Sequence, residues 1–339
     1  MAKKRIYIAY TGGTIGMQAS VEGFVPAPGM MAKQLAALPE LHRPEMPDFV
    51  LHEYEPLIDS AEMTPAHWQR IADDIGEHYQ DYDGFIILHG TDTMAYTASA
   101  LSFMLNGLDK PVIVTGAQIP LASLRTDARA NLLNALFIAA EHPVPEVCLF
   151  FEDKLLRGNR STKARADGFD AFESPNLPPL ARAGIEIRYT SVETLKPSGE
   201  VFAVSSITPQ PVAVVTLYPG ISHEVIANAL QAPVKALILR SFGVGNAPRT
   251  PELLALFEEA QQRGVVVLNL SQCYSGRVAM GSYATGSALA QAGVISGFDM
   301  TLEAALAKLH VLLSRGLPAD RLRELMQQNL RGELSVPNQ

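Results

Sequence analysis

Short apolar runs recur along the chain, and longer stretches with an apolar residue every three or four positions lie between them. The runs at 5–10, 49–54, 84–89, 111–115 and 146–151 are each bounded by turn residues. Several are continuously apolar, which is how a strand reads when helices cover both faces of a parallel sheet. The intervening pattern predicts helices. Thr64 can cap one and Pro65 suits its first position, after which Trp68, Ile71, Ala72 and Ile75 share a face. Residues 96–105 and 131–140 read as two more. From about 174 to 210 the helical period is lost among Pro175, Pro178, Pro179, Pro197, Gly199 and Pro209, and the later part reads as a linker with short extended pieces. Strand patterns resume at 213–218, 234–241 and 264–270, with helices expected at 223–231, 251–263, 301–314 and 319–329. The predicted class is α/β with two domains. A larger N-terminal domain with a mainly parallel sheet spans 1–190, a linker 191–211, and a smaller α/β domain 212–339. A length of 339 residues agrees, since it exceeds what one core usually organises.

Composition narrows the function classes. Hydrophobic residues make up 47% and charged residues 18%, the balance of a soluble globular chain. A net charge of −8 argues against a general nucleic-acid binder. No window reaches the ~18 consecutive apolar residues of a membrane span, and the run after Lys3, Lys4 and Arg5 is too short for a secretory leader. A cytoplasmic protein with no membrane partner is expected. Cys148 and Cys273 lack the spacing of a zinc or redox pair and are expected to be two buried thiols. No cluster of ligand residues calls for a metal, and no cofactor is expected.

In parallel α/β sheets ligands bind beyond the carboxyl ends of the strands. Here those ends carry Thr11-Gly12-Gly13-Thr14, then Asp59-Ser60, then His89-Gly90-Thr91-Asp92-Thr93, and then Thr115-Gly116-Ala117-Gln118. The glycine spacing fits neither a dinucleotide fingerprint nor a phosphate-binding loop. A purely structural reading is equally open for each segment alone: Thr11 and Thr14 as turn and cap, Thr91 or Asp92 as the cap of the next helix. A hydroxyl nucleophile needs a neighbouring base. Asp92 and a lysine could supply one through a hydroxyl, and Lys163 in the polar stretch 158–164 is the candidate, although most lysines are simply solvated.

The segments Thr11-Gly12-Gly13-Thr14-Ile15-Gly16 and Gly84-Phe85-Ile86-Ile87-Leu88-His89-Gly90-Thr91-Asp92-Thr93 resemble the two signatures of the bacterial-type L-asparaginase family. Arg157-Gly158-Asn159-Arg160-Ser161-Thr162-Lys163 resembles its lysine segment, and Arg240-Ser241-Phe242-Gly243-Val244-Gly245-Asn246 its second-domain loop. The likeness spans essentially the whole chain and is strongest to the cytoplasmic type I branch. It implies that Thr14 attacks the side-chain amide of L-asparagine, that ammonia leaves an aspartyl ester, and that water releases L-aspartate. Thr91, Asp92 and Lys163 match the family's Thr-Asp-Lys set, a candidate for activating Thr14, the water, or both. Asp59, Ser60, Thr91, Asp92, Ala117 and Asn246 are implied as substrate contacts. Backbone N–H groups near Thr91 and Ala117 are candidate oxyanion donors, worth roughly 3 kcal/mol each when well placed.

The resemblance also implies a homotetramer built as a dimer of dimers, with Asn246 reaching a neighbour's site. It suggests an effector site at Thr162, Arg240 and Cys273, beside the plainer reading of Arg240 as a strand-end pair and Cys273 as packed. One departure is Phe24, where relatives often carry a loop tyrosine; Tyr10 is a candidate for the missing hydroxyl. Two other functions share these features. A non-catalytic amino-acid sensor would need neither Thr14 nor Lys163, and an amidase subunit acting on a different amide is expected to carry an additional N-terminal domain.

Overall fold

The structure is a computed structural model that describes residues 3–21, 23–26, 28–280 and 284–336. It divides into two compact units, Met1–Ser205 and Ser206–Gln339.

The first unit contains β1 (Arg5–Tyr10), β2 (Met17–Ser20), β3 (Gly23–Pro26), α1 (Met30–Ala36), β4 (Asp48–Glu53), α2 (Pro65–His78), β5 (Gly84–Leu88) and α3 (Met94–Met104). It continues with β6 (Leu105–Asn106), β7 (Val112–Thr115), α4 (Ala128–Glu141), β8 (Val147–Phe151), β9 (Lys154–Arg157), β10 (Thr162–Lys163), β11 (Phe172–Glu173), β12 (Ala181–Ala183), β13 (Ile187–Tyr189) and β14 (Ala203–Val204). Its main sheet has the order β13-β12-β9-β8-β7-β5-β1-β4. From β4 to β8 every pairing is parallel. The β5 and β8 runs are fully buried, as their uninterrupted apolar sequences require. Ile6, Ile8 and Tyr10 face one way, into a core with Leu132 and Leu136 of α4. On the other face the Tyr7 hydroxyl donates to Asp74 of α2, 2.8 Å away.

The structure adds strands that apolar runs did not predict. β9 folds back antiparallel on β8, and β12 and β13 extend that edge. They are short, and only one face of β12 is buried, so no continuous apolar run marks them. β14 pairs with β6, and Asn106 Nδ2 donates to Ser205 Oγ at 2.8 Å, so the chain to Ser205 stays with the first unit. α3 begins at Met94 and α4 at Ala128, two and three residues before the predicted starts.

The second unit contains β15 (Val212–Thr216), α5 (His223–Ala229), β16 (Ala236–Ser241), α6 (Pro251–Gln262), β17 (Val266–Ser271), α7 (Ala284–Gln291), β18 (Ile295–Ser296), α8 (Leu302–Ser314) and α9 (Ala319–Met326). Its four strands are all parallel, in the order of the sequence. Two apolar cores lie on its faces, one around Phe257 and Leu237, the other around Leu309 and Ile238. No described helix is long and apolar enough to cross a membrane. Both cysteines are free thiols. Cys148 is buried as expected, but Cys273 is exposed, which corrects the expectation of two packed thiols. It lies two residues beyond the end of β17, outside the sheet that buries the preceding run.

Candidate active site

Numbered by sequence, the five parallel strands of the large sheet run 2-1-3-4-5 in space. The connection from β1 therefore leaves in one direction and the strands after β4 continue in the other. The crevice of such a sheet opens at this reversal, beyond the carboxyl ends of β1 and β5. In register, Tyr10 lies beside Glu53 and Leu88, and Leu88 beside Thr115, so four loops leave the sheet at one level.

Glycines let those loops touch. A Cβ on Gly12 would sit 2.3 Å from the Ile58 carbonyl oxygen, and one on Gly13 would sit 2.4 Å from the Gly90 Cα. Both have positive φ, 138° and 92°, a region that side chains other than hydrogen rarely adopt. A Cβ on Gly90 would lie 2.4 Å from Ser60 Oγ. The loop after β1 is thus wedged between those after β4 and β5, and backbone contacts lock it there. Thr11 Oγ1 donates to the Leu88 carbonyl at 2.9 Å, and Ile58 N–H donates to the Thr11 carbonyl at 2.7 Å. Thr11 is therefore a brace. Thr14, by contrast, is partly exposed and opens a short 3-10 turn, Thr14–Gly16, whose cap position belongs to Gly13. The capping role considered for Thr14 is not what the structure contains.

The same holds for the third segment. The cap position of α3 is Thr93, whose hydroxyl donates to the Ser60 carbonyl at 2.7 Å. Neither Thr91 nor Asp92 caps it. Instead Lys163 Nζ donates to Thr91 Oγ1 at 2.9 Å and to Asp92 Oδ1 at 2.8 Å. Lys163 is not a solvated surface lysine: its side chain keeps only 20% of its exposure. The preceding turn, Gly158–Arg160, packs so closely on α3 that a Cβ on Gly158 would meet Ala98 Cβ at 3.1 Å. Ser161 Oγ closes that turn on the Gly158 carbonyl at 2.7 Å, and β10, paired with β11, then carries Lys163 to the Thr91–Asp92 loop.

Gln118 is a participant that side-chain chemistry alone did not single out. Thr91 Oγ1 donates to Gln118 Oε1 at 3.1 Å. Gln118 is itself held, its amide nitrogen donating to the carbonyls of Ala166 at 3.2 Å and Gly168 at 3.1 Å and its backbone N–H to Asp127. The Thr91 oxygen therefore accepts from an ammonium while its proton points to an amide oxygen. The only sequence signal for Gln118 was its place just past a strand end. Neighbouring Ala117 is buried. Asp59 is exposed and caps its own turn, accepting from Ala61 N–H at 2.9 Å, while Ser60 is buried.

The other predicted residues lie elsewhere in their own units. Thr162 directly precedes Lys163 in β10. In the second unit Asn246 closes a tight turn, exchanging backbone bonds with Phe242 at 2.8 and 2.9 Å. The carbonyl of Arg240, near the end of β16, accepts from Gln272 Nε2 at 2.8 Å, and Cys273 N–H donates to Ser271 Oγ at 3.0 Å. The backbone of Phe24 pairs with Ala19 in the hairpin after the first signature; its side chain lies outside the described residues. Tyr10 does not present its hydroxyl to solvent: it is 1% exposed and points at Gly16, where a Cβ would lie 2.0 Å from that oxygen.

The site is one that an amide- or ester-cleaving α/β enzyme needs: a hydroxyl-bearing loop at a sheet reversal beside a lysine-held threonine and carboxylate. The sequence matches the family described as Asparaginase, N-terminal, over residues 5–194, and the Glutaminase/Asparaginase C-terminal domain over residues 211–326. L-asparaginase 1 of Escherichia coli K12 is 64% identical, over 99% of both chains. The crystal structure of L-asparaginase I from Vibrio cholerae superposes with a TM-score of 0.93 at 64% identity, covering 99% of this chain and 100% of that one. The 60 kDa lysophospholipase of Homo sapiens is 43% identical over 99% of this chain and 62% of its own length. The chain belongs to the asparaginase family.

Proposed function

We propose that this protein is an L-asparaginase that hydrolyses L-asparagine to L-aspartate and ammonia, with Thr14 as the nucleophile. The observation that carries the site assignment is Lys163 Nζ bonded at once to Thr91 Oγ1 and Asp92 Oδ1, three groups drawn from segments some 71 residues apart. Thr14 Oγ1 attacks the side-chain amide carbon, the C–N bond breaks, and ammonia leaves with a proton. An aspartyl ester remains on Thr14, and water cleaves it. Asp59 and Asp92 hold the substrate ammonium, and Ser60 with nearby backbone N–H groups holds its α-carboxylate. Lys163 ion-pairs with Asp92 and fixes the Thr91 hydroxyl. The backbone N–H groups of Thr91 and Ala117 face the developing oxyanion.

Steady-state ammonia release from L-asparagine, L-glutamine and D-asparagine tests the reaction, and fatty-acid release from a lysophospholipid tests the alternative that the human relative's name suggests. Thr14→Ala is expected to lower turnover on L-asparagine by on the order of a thousandfold with the substrate still bound. Unimpaired turnover would overturn the nucleophile assignment. Binding without ammonia release in the wild type would favour the sensor reading.

The likeness to the type I branch further supports a cytoplasmic homotetramer in which Asn246 completes a neighbour's site, and an asparagine effector acting through Thr162, Arg240 and Cys273. Velocity is then expected to be sigmoidal in asparagine and to become hyperbolic in Thr162→Ala. A hyperbolic wild type rejects the effector, and a monomer in sedimentation velocity rejects the assembly.

A further inference from the structure

Beneath the Thr91–Asp92 loop lies a buried chain of hydrogen bonds in which every proton can be placed. Trp68 Nε1 is 3.1 Å from Thr97 Oγ1, Thr97 Oγ1 is 2.8 Å from His89 Nε2, and His89 Nδ1 is 2.6 Å from the Gly90 carbonyl oxygen. Thr97 and His89 are both 0% exposed. An indole N–H only donates and a carbonyl only accepts. Thr97 therefore receives from Trp68 and has its own proton to give, and His89 Nε2 is the acceptor in reach. The ring must then carry its hydrogen on Nδ1 and donate it to Gly90. The opposite tautomer would set two lone pairs against each other at 2.6 Å. Burial also keeps the ring neutral, pushing its pKa from 6.5 down to about 4.

The carbonyl that His89 grips belongs to the Gly90–Thr91 peptide. That peptide is trans, so its C=O and N–H point in opposite directions in one plane. Holding the oxygen toward the core turns the Thr91 N–H away from it. Gly90 has no side chain to fix this plane, and a Cβ there is forbidden by Ser60 Oγ at 2.4 Å. The plane must be set from behind.

We infer that His89 is a positioning residue for the reaction: the Trp68–Thr97–His89 chain holds the Gly90–Thr91 peptide so that the Thr91 N–H meets the oxyanion. This rests on the proposed attack by Thr14. The oxyanion forms only in the transition state, so the contribution falls on kcat and spares KM.

Side-chain geometry supplies the test. The amide nitrogen of asparagine overlays His Nδ1, and that of glutamine overlays Nε2. His89→Asn retains the donor to Gly90, whereas His89→Gln loses it while keeping a polar group toward Thr97. The expected result is a kcat loss on the order of tenfold to a hundredfold in His89→Gln, with KM within about twofold, and recovery of most of that loss in His89→Asn. Equal losses in the two variants, or losses that follow thermal stability instead of the donor, overturn the inference. Should the variants fold poorly, ¹⁵N chemical shifts of the wild-type imidazoles decide: a neutral Nδ1–H ring at pH 7 is expected, and an Nε2–H ring or an imidazolium overturns it. Thr14→Ala measured alongside separates the two levels. Full turnover there rejects the threonine mechanism, whereas loss there with an unchanged kcat in His89→Gln rejects only the role of His89.

Discussion

His89 makes a prediction of its own about stability. Its folded pKa of about 4 lies below the ordinary 6.5, so between these values the unfolded chain binds a proton that the folded chain does not. Its contribution is complete above pH 6.5 and is lost as the pH falls toward 4, where the wild type should have given up about 3 kcal/mol through this ring. Unfolding of wild type and His89→Asn at pH 7 and pH 4.5 checks this: the wild type should lose more between the two, and parallel losses would show that the ring does not govern the acid limb. The residue scale also shows what residue type could not reveal. Thr11 and Thr14 are two threonines three positions apart in one loop, yet the first is a buried brace on Leu88 and the second is partly exposed.

At the scale of elements, the site is a meeting of turns whose closeness depends on missing side chains. Gly13 has φ 92° and room for no Cβ, whereas Gly29, with φ 72°, has no atom within 4 Å of where a Cβ would be. Gly13→Ala must both strain its backbone and push the first-signature loop off Gly90, at a cost of about 3 kcal/mol and most of the activity. Gly29→Ala pays only the strain, about 1 kcal/mol, and should retain turnover. Thermal unfolding and ammonia release on the two variants make the comparison, and similar activity in both would contradict the packing argument. The strand pairs themselves were readable where they are buried on both faces. β9, β12 and β13 were not, because an antiparallel edge of three or four residues needs only partners, not a long apolar run.

Over the whole molecule, each unit closes its own core with a buried ion pair. In the first, Arg157 and Glu146 pair at 2.6 Å, and Glu146 also accepts from the Leu195 N–H, tying the 190s segment to the sheet. In the second, Lys308 of α8 pairs with Glu333, both side chains 0% exposed, and donates to the Met326 and Gln328 carbonyls. This fastens the segment after α9 back onto α8. Lys308→Met would leave the Glu333 carboxylate buried without that ammonium and should cost about 3–5 kcal/mol. Denaturant unfolding should recover part of this in Lys308→Met combined with Glu333→Gln. No recovery would show that packing, not charge, dominates.

Sequence alone determined the α/β class, the parallel core strands and the family, and it named the residue types of the candidate site, because covered strands, glycine turns and the two signatures are local patterns. Tertiary structure decided what local pattern cannot hold. Lys163 reads as an ordinary lysine until the Gly158 turn, packed against α3, brings it across 71 residues to Asp92. Cys273 reads as packed until the end of β17 leaves it in solvent. Gln118, Trp68 and Thr97 lie outside the signature segments, and His89 lies in one without its partners being legible there, since a hydrogen bond depends on where atoms meet and not on how far apart they stand in the chain.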